Sequence, residues 1–326
     1  MPMTDSPLAL GIIGAGIMGE RMLAAASGHP DSPVRIAAIW DPNPAVLTRI
    51  ADAFPDVPQV ADAAAVVAAS ACVYVASPPA SHLGHARAAL AAGRSVFCEK
   101  PLAIDIGDAR AFVAAAGASG AVNFPFASSP DVAVLERWIE DGVVGTPRQL
   151  TIEVGFAAWP RPWQADASAW LDARAEGGFT REVVSHFLFL GRRLLGPLTG
   201  LRGTIAFPED GESERTIDVT LRAGATPVRL SGSVGGTDRD DHNVWTLEGD
   251  AGAVRLRDWA IAERLGADGQ FAAASDAMPN VQARPIALRR QLEGVVRMTR
   301  GEPHRLATLA EALEVQEAVE AILAFG

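Results

Sequence analysis

Short apolar runs alternate with helix-like stretches through the first third of the chain. These runs lack a period of two, and continuous apolar runs are typical of strands that a sheet buries on both faces. Strands are predicted over residues 8–14, 34–41, 71–79, 95–101 and 121–124. Helices are predicted between them, over residues 17–27, 43–54, 81–93 and 105–117. Such alternation predicts an α/β fold with a doubly wound parallel sheet.

The pattern changes near residue 122, where we place a boundary between domains 1–122 and 123–326. Short connections between the later strands indicate antiparallel pairing, and therefore an α+β second domain built on a mostly antiparallel sheet. The closing helices could pack back on the first domain. The predicted helices are 130–141, 180–195, 286–299 and 306–324, and the predicted strands are 148–156, 201–207, 215–221, 227–234, 243–250 and 253–259.

The composition excludes several kinds of function. The 28 Lys and Arg against 39 Asp and Glu give a net charge of −11, which argues against binding to nucleic acid or to an anionic membrane. No apolar run reaches the length of about 18 residues that a membrane span needs. Cys72 and Cys98 alone form neither a zinc site nor a disulfide framework, so no metal is expected. A reduced, cytoplasmic protein without a signal peptide is expected.

Gly14, Gly16 and Gly19 form a G-x-G-x-x-G motif between the first strand and the first helix. In this context the first glycine permits a tight turn, the second lets a pyrophosphate approach the backbone, and the third allows close packing of the helix on the strand. The free N–H groups of the helix favour phosphate. The alternatives are a tight turn without a ligand, or a site for FAD or S-adenosylmethionine.

Asp41 ends the second strand, about twenty residues after the motif. A carboxylate there accepts hydrogen bonds from ribose hydroxyls and repels a 2′-phosphate, and Pro42, Asn43 and Pro44 offer no cation. The sequence therefore predicts NAD, with NADP less favoured. The alternative is that Asp41 merely caps a helix.

Polar residues also follow the next two strands, at the edge where such sheets bind ligands. Ser77 and Pro78 end one strand, and His82 opens the helix after it. Glu99 and Lys100 end the next strand. A partly desolvated lysine can exchange a proton with a substrate. The alternative is a surface lysine paired with Glu99.

The helix predicted over 180–195 carries Glu182 and His186 at a spacing of four, away from its apolar face. A carboxylate can hold an imidazole in one tautomer, as a general base requires. The alternative is a surface pair. Gly177 and Gly178 before the helix would allow a close approach of a ligand or of another backbone segment.

These features together resemble the Gfo/Idh/MocA family of glucose–fructose oxidoreductases and inositol dehydrogenases. The resemblance is carried by the glycine motif and Asp41, and by the stretches "SPPASH" (77–82), "EKP" (99–101), "GTP" (145–147) and "GGF…E…H" (177–186). It implies a Rossmann domain followed by a domain with a large open sheet, and a homodimer or homotetramer formed through that sheet. It also implies oxidation of a sugar or cyclitol hydroxyl, or reduction of the carbonyl, with NAD or NADP.

The resemblance also implies roles for individual residues. Lys100 matches a lysine that contacts substrate and nicotinamide, His186 matches the catalytic histidine, and Glu182 stands where an aspartate is common. The residues expected to bind the substrate are Lys100, Asn123, Trp163 and His186. Trp163 is included from the residues themselves: Trp159, Trp163 and Trp170 lie in the loop before the helix, and one or two of them could stack on a sugar ring, with core packing or a domain contact as the alternative. The residues expected to bind the cofactor are Gly14, Gly16, Ile17, Met18, Gly19, Asp41, Ser77, Pro78, His82, Glu99 and Lys100.

The chain departs from the family pattern in the second-domain helix. A run of three glycines is reduced to two, the aspartate is Glu182, and Val184 replaces a small residue. Two alternatives therefore stay open, a dinucleotide-binding sensor without catalysis and a lyase or glycoside hydrolase that uses NAD transiently. The sequence also leaves open whether the bond before Pro101 is cis.

Overall fold

The computed structural model describes residues 6–209 and 211–326, which divide into two compact units. The first unit ends at Ser128 and also takes in Ala287–Leu313. The second unit comprises Ser129–Ile286 and Glu314–Gly326. The sequence pattern places the first boundary at residue 122, six residues earlier, and does not separate 287–313 from the second domain.

Strands and helices alternate strictly in most of the first unit. Its early strands are β1 (Leu8–Ile13), β2 (Val34–Trp40), β3 (Cys72–Val75), β4 (Ser95–Cys98) and β5 (Gly120–Val122). The helices between them are α1 (Ile17–Ser27), α2 (Pro44–Ala53), α3 (Ala63–Ala69), α4 (His82–Ala91) and α5 (Ile106–Ala116).

The rest of the chain is richer in strands. Its helices are α6 (Pro130–Glu140), α7 (Ser168–Leu171), α8 (Ser185–Leu195), α9 (Asn280–Thr299) and α10 (Leu309–Leu323). Its strands are β6 (Pro147–Phe156), β7 (Leu198–Ala206), β8 (Thr216–Ala223), β9 (Thr226–Val234), β10 (His242–Gly249), β11 (Ala253–Arg257), β12 (Ile261–Leu265), β13 (Phe271–Ala273) and β14 (Ala307–Thr308).

Six strands of the described chain form the sheet of the first unit, in the order β14-β5-β4-β3-β1-β2. All neighbours pair in parallel except β14, which lies antiparallel to β5. Buried side chains of β1 and β3 meet Leu292 and Val295 of α9 in one core. The carboxyl ends of β1 to β5 therefore share one edge, where a doubly wound sheet binds its ligand.

Eight strands in the described residues form the sheet of the second unit, in the order β13-β12-β11-β10-β6-β9-β8-β7. All pairs are antiparallel except β6 with β9. Alternate residues of β8 are buried and exposed, as expected when one face of a sheet packs and the other is open. The predicted fold class, a Rossmann domain followed by an α+β domain on a mostly antiparallel sheet, is confirmed.

Some element predictions were wrong. The strand predicted over 253–259 ends at Arg257, and Asp258 and Trp259 form a turn with positive φ angles of 50° and 74°. Helix α9 begins at Asn280, six residues before the predicted start at 286, and continues through Pro285. A proline near the first turns removes one hydrogen bond, which a helix of 20 residues tolerates.

In the described part of the chain, no helix combines the length and the apolarity needed to cross a membrane.

Candidate functional site

The loop between β1 and α1 is built from glycines with different surroundings. Gly14 has φ of 93°, and a Cβ there would lie 2.5 Å from the backbone of Ser77. A Cβ on Gly19 would lie 2.0 Å from the carbonyl oxygen of Gly14. Gly16 is exposed, and a Cβ there would meet no atom within 4 Å. Gly14 and Gly19 are thus required by the fold, whereas Gly16 leaves open space at the backbone.

This open space lies at the start of a helix. Gly16 is the N-cap residue of α1, and no side chain of the described residues caps the helix there. Free N–H groups and the helix dipole therefore favour an anion beside Gly16. Ile17 and Met18, the first two residues of α1, are half-buried at the same place. The loop thus fits the diphosphate of a dinucleotide.

Asp41 follows β2 and braces the same loop. Its Oδ2 accepts the backbone N–H of Ala15 over 2.8 Å, and its Oδ1 accepts the N–H of Asn43 over 2.9 Å. The helix cap is Asn43, whose side chain accepts the N–H of Ala45. Two of the roughly four lone-pair sites of the carboxylate are used, so the others can accept ribose hydroxyls.

One neighbour of this loop escaped the sequence reasoning. Nη2 of Arg49, on α2, lies 3.4 Å from the carbonyl oxygen of Ala15 and 3.2 Å from Glu20. The arginine brings a cation beside the phosphate loop, from a position that the residues next to Asp41 do not reveal.

The loop after β3 is fixed by a buried histidine. The ring nitrogens of His82 lie 2.7 Å from the carbonyl oxygens of Ser77 and of Pro101. Burial is the main cause that lowers the pKa of His82, and the two carbonyls act in the opposite direction. His82 therefore ties the segment that begins at Ser77 to the segment that follows Lys100. Pro78 precedes a short 3₁₀ turn, and the hydroxyl of Ser77 accepts a hydrogen bond from Ser81.

Glu99, predicted to bind the cofactor, belongs to a buried polar network at the carboxyl ends of three strands. Its Oε1 accepts hydrogen bonds from the hydroxyl of Tyr74 and from the amide of Asn123. The oxygen of Asn123 in turn accepts from Gln291 of α9 over 2.6 Å. Burial, followed by the charge of Glu99, raises the pKa of Tyr74 well above its usual value. The network fixes the backbone immediately before Lys100.

Lys100 itself is half-buried at the end of β4, and the Lys100–Pro101 bond is cis. Asn123, predicted to bind the substrate, is only 1% exposed and holds Glu99. Lys100 is therefore more accessible than Asn123 at this edge of the sheet. Asn123 lies in the buried network.

In the second unit, a π-helical turn over Thr180–Val184 precedes α8. Glu182 lies half-buried in this turn, and His186 is buried in the first turn of α8. The apolar residues Val183 and Phe187 are buried. Phe189 is also fully buried, so the first half of α8 is enclosed on all sides.

The two glycines before this turn serve close packing within the protein. A Cβ on Gly177 would lie 2.1 Å from the carbonyl oxygen of Leu171, and one on Gly178 would lie 2.2 Å from Glu214. Glu214 is buried and accepts the N–H of Thr180, the first residue of the π-helical turn. Burial raises the pKa of Glu214.

The loop rich in tryptophan contains one exposed ring. Trp163 is 46% exposed, and the guanidinium of Arg161 lies 4.7 Å from its ring centroid. Arg161 is buried and paired with Asp241, with Nη1 2.6 Å from Oδ2. Trp159, by contrast, is a core residue that packs on Phe156. Trp163 thus presents an exposed aromatic ring that packs against the anchored guanidinium of Arg161.

Trp259 was missed by the sequence reasoning. Its ring centroid lies 5.4 Å from that of His186, and its indole N–H donates to Asp241 over 3.1 Å. The sequence pattern placed it at the end of the strand predicted over 253–259 and gave no sign of a site there. Among the described residues, no group of three or more His, Cys, Asp or Glu side chains is arranged to hold a metal ion.

Residues 8–125 match a family model described as "Oxidoreductase family, NAD-binding Rossmann fold", the Gfo/Idh/MocA model. The matched segment contains the glycine loop, Asp41 and Lys100. This segment, 118 of the 326 residues, is similar to the Gfo/Idh/MocA oxidoreductase family. The resemblance that the motifs suggested is thereby confirmed for the dinucleotide-binding part of the chain.

Solved structures are similar to the whole chain, beyond the Gfo/Idh/MocA segment. A myo-inositol dehydrogenase from Corynebacterium glutamicum has a TM-score of 0.76 and 20% identity, over 98% of this chain and 96% of that one. An oxidoreductase from Agrobacterium radiobacter, in complex with NAD+, L-tartaric acid and magnesium, has a TM-score of 0.82 at 20% identity, with 98% and 96% covered. The WlbA dehydrogenase from Bordetella pertussis, in complex with NADH and UDP-GlcNAcA, has a TM-score of 0.79 at 20% identity, with 99% and 96% covered. At this identity the likeness establishes the fold. Among curated proteins, none matches the sequence.

Proposed function

We propose that the protein is an NAD-dependent dehydrogenase that acts on a hydroxyl or carbonyl carbon of a sugar, cyclitol or related polyol. The observation that carries this proposal is the loop at Gly16, with its open backbone and uncapped helix start, in a segment of an NAD-binding oxidoreductase family. Similar structures include a myo-inositol dehydrogenase and a dehydrogenase with bound NADH and UDP-GlcNAcA, which supports the substrate class.

In this proposal each residue has a limited task. NAD, when bound, supplies the hydride acceptor at its nicotinamide. The carboxylate of Asp41 holds the ribose hydroxyls and favours NAD over NADP. Lys100 hydrogen-bonds the reacting oxygen of the substrate, and His186 takes the hydroxyl proton as the hydride leaves the carbinol carbon. Glu182 orients His186, and Trp163 binds the sugar or cyclitol ring.

The buried residues act indirectly. We infer that Glu99 and Asn123 support the backbone at Lys100, because both are buried and bonded to one another. His82 supports the same segment through the carbonyl of Pro101.

A panel of sugars, cyclitols and sugar acids, assayed for NADH formation beside thermal shifts with NAD and NADP, tests the proposal. We expect a larger thermal shift with NAD and turnover of at least one polyol. Because Arg49 brings a cation beside the phosphate loop, binding of NADP must be measured as well as binding of NAD. Tight NAD binding without turnover would favour a sensor, and product formation without net NADH would favour a lyase or hydrolase.

Lys100→Met gives a sharper test of the mechanism. The substitution keeps the apolar stem and removes the ammonium, so turnover should fall at least about 10²-fold, as for loss of a hydrogen-bond donor to the reacting oxygen. NAD affinity should stay nearly unchanged. If NAD binding is lost while the chemical step is preserved, the assigned role of Lys100 is wrong.

A further inference from the structure

The turn between β11 and β12 holds two consecutive residues in a conformation that favours glycine. Asp258 and Trp259 have φ of 50° and 74°. Such angles are uncommon for residues with a Cβ, and for a bulky residue such as tryptophan they mark a genuine outlier. Strained backbone persists where its surroundings fix it, and it concentrates at functional sites.

The surroundings of this turn do fix it. Oδ2 of Asp258 lies 2.8 Å from Nη2 of Arg239 and 3.1 Å from Nη1 of Arg257. On the other side, the indole N–H of Trp259 donates to Oδ2 of Asp241. The same oxygen accepts from the buried Arg161 over 2.6 Å. The indole is therefore held by its backbone turn and by a hydrogen bond to an anchored carboxylate.

The held indole lies against the start of α8. Its ring and the imidazole of His186 are 5.4 Å apart between centroids, at an interplanar angle of 73°. Its distance to the ring of Phe187 is 5.2 Å, at 45°. An edge-to-face contact of this kind is a favoured aromatic geometry. It limits how far the imidazole can turn.

We propose that Trp259 is a positioning residue for His186, with Asp241 holding its indole. This inference rests on the proposed role of His186 as general base. A general base acts only when its nitrogen lies within about 2.6–3.2 Å of the atom that carries the proton. The torsion χ2 of a histidine has only broad energy minima, so the ring can turn easily unless its neighbours hold it. The indole restricts this rotation from the β11–β12 side, in addition to the proposed orientation of His186 by Glu182.

The first test is the imidazole NMR spectrum of the full-length protein, which contains six histidines. Loss of one resonance in His186→Gln assigns His186. Trp259→Gly deletes the ring and suits the positive φ, so the turn is kept without steric cost. We expect the His186 resonance to move more than those of the other histidines. Trp138→Ala, which removes a tryptophan from α6 of the same unit, should leave it unchanged.

Trp259→Phe provides a second variant, because it keeps one aromatic ring and loses the hydrogen bond to Asp241 together with part of the ring surface. It should shift the His186 resonance less than Trp259→Gly does. Near-ultraviolet circular dichroism verifies that each variant is folded. An unmoved His186 resonance in folded Trp259→Gly overturns the proposal, whatever the substrate is.

The second test is a double-mutant cycle on the polyol that the panel shows to be oxidised fastest. Trp259→Gly should lower kcat about 10²-fold, as small misplacements at a reacting group do, with NAD affinity unchanged. In the His186→Ala background the same change should cost less than about twofold, since Trp259 acts through His186. Equal losses in both backgrounds contradict the inference. If His186→Ala keeps full activity, the proposed function is contradicted instead. If no polyol is oxidised, the NMR result alone tests the role of Trp259.

Discussion

At the scale of single residues, the three glycines of the phosphate loop differ in what a methyl group would meet. Gly16→Ala should leave the protein folded, because nothing lies within 4 Å of its Cβ position. The methyl group would stand where the diphosphate approaches, so the Kd for NAD should rise about tenfold or more, which is about 1.4 kcal/mol. Isothermal titration calorimetry measures this change.

Two other glycines serve as controls. Gly84, on α4, also has open space at its Cβ position, and Gly84→Ala should keep NAD binding and slightly stabilise the helix. Gly19→Ala should instead lower the melting temperature, because its Cβ would overlap the carbonyl oxygen of Gly14. Unchanged NAD binding by Gly16→Ala would show that the loop does not hold the diphosphate.

Tyr74 is the one tyrosine of the chain, so its ionisation can be followed without interference. Burial and the neighbouring Glu99 raise its pKa in the folded protein. Its stabilising contribution is therefore fully present below pH about 10, the pKa of an unfolded tyrosine, and is lost as the pH rises further. We expect phenolate absorbance to appear only together with loss of the near-ultraviolet circular dichroism. A separate titration near pH 10 with the fold intact would contradict this.

At the scale of elements, a buried carboxylate accepts a hydrogen bond from the first residue of the helical segment that carries Glu182 and His186. Glu214 accepts the N–H of Thr180 and fills the space that Gly178 leaves. Glu214→Ala should destabilise the protein by about 1–3 kcal/mol, the usual result of leaving a buried donor without a partner. Urea denaturation measures the free energy of unfolding.

Glu214→Gln is the matched variant. It keeps an oxygen acceptor of the same shape and removes the charge, whose burial raises the pKa of Glu214. Because a raised pKa means that the folded state disfavours the charge more than the unfolded state does, this variant should be near neutral or stabilising at pH 7. Equal destabilisation by both substitutions would show that the charge, and not the acceptor, is what the helix start requires.

The sequence predicted those elements that depend on residues close together along the chain. The glycine loop was recognisable because strand, turn and helix are adjacent along the chain. The position of Lys100 at the edge of the sheet was recognisable because it comes two residues after an apolar strand. Trp259 was not recognisable, since its turn is held by bonds to distant residues. Trp259 donates to Asp241, and the neighbouring Asp258 pairs with Arg239. The bond from Asp41 to Ala15 and the two-residue strand β14 likewise join segments that are distant in sequence. Pairings of this kind leave no periodic pattern.

At the scale of the whole molecule, the open face of the second sheet predicts the assembly state. Exposed side chains of Arg202, Thr220 and Arg229 lie opposite one another on three neighbouring strands. We expect a homodimer or homotetramer formed through this face, with a mass of twice or four times the 34.1 kDa of the chain. Light scattering coupled to size-exclusion chromatography determines it.

Thr220→Arg tests the assignment of the face. It would place a third guanidinium between Arg202 and Arg229, and like charges at an interface disfavour association. The oligomer should dissociate, whereas Ala115→Arg, at an exposed position of α5, adds the same charge and should not change the mass. A monomeric wild-type protein, or an unchanged mass of Thr220→Arg, would contradict the prediction.

The order of the chain in the first unit has a consequence for its synthesis. The core of this unit needs Leu292 and Val295 of α9, and the edge of β5 pairs with β14. A nascent chain that has reached Ser128 lacks both. At typical translation rates, Leu313 follows roughly 10 to 40 seconds later. During that interval an apolar surface and an open strand edge are exposed on the ribosome, and they form a natural binding site for a chaperone.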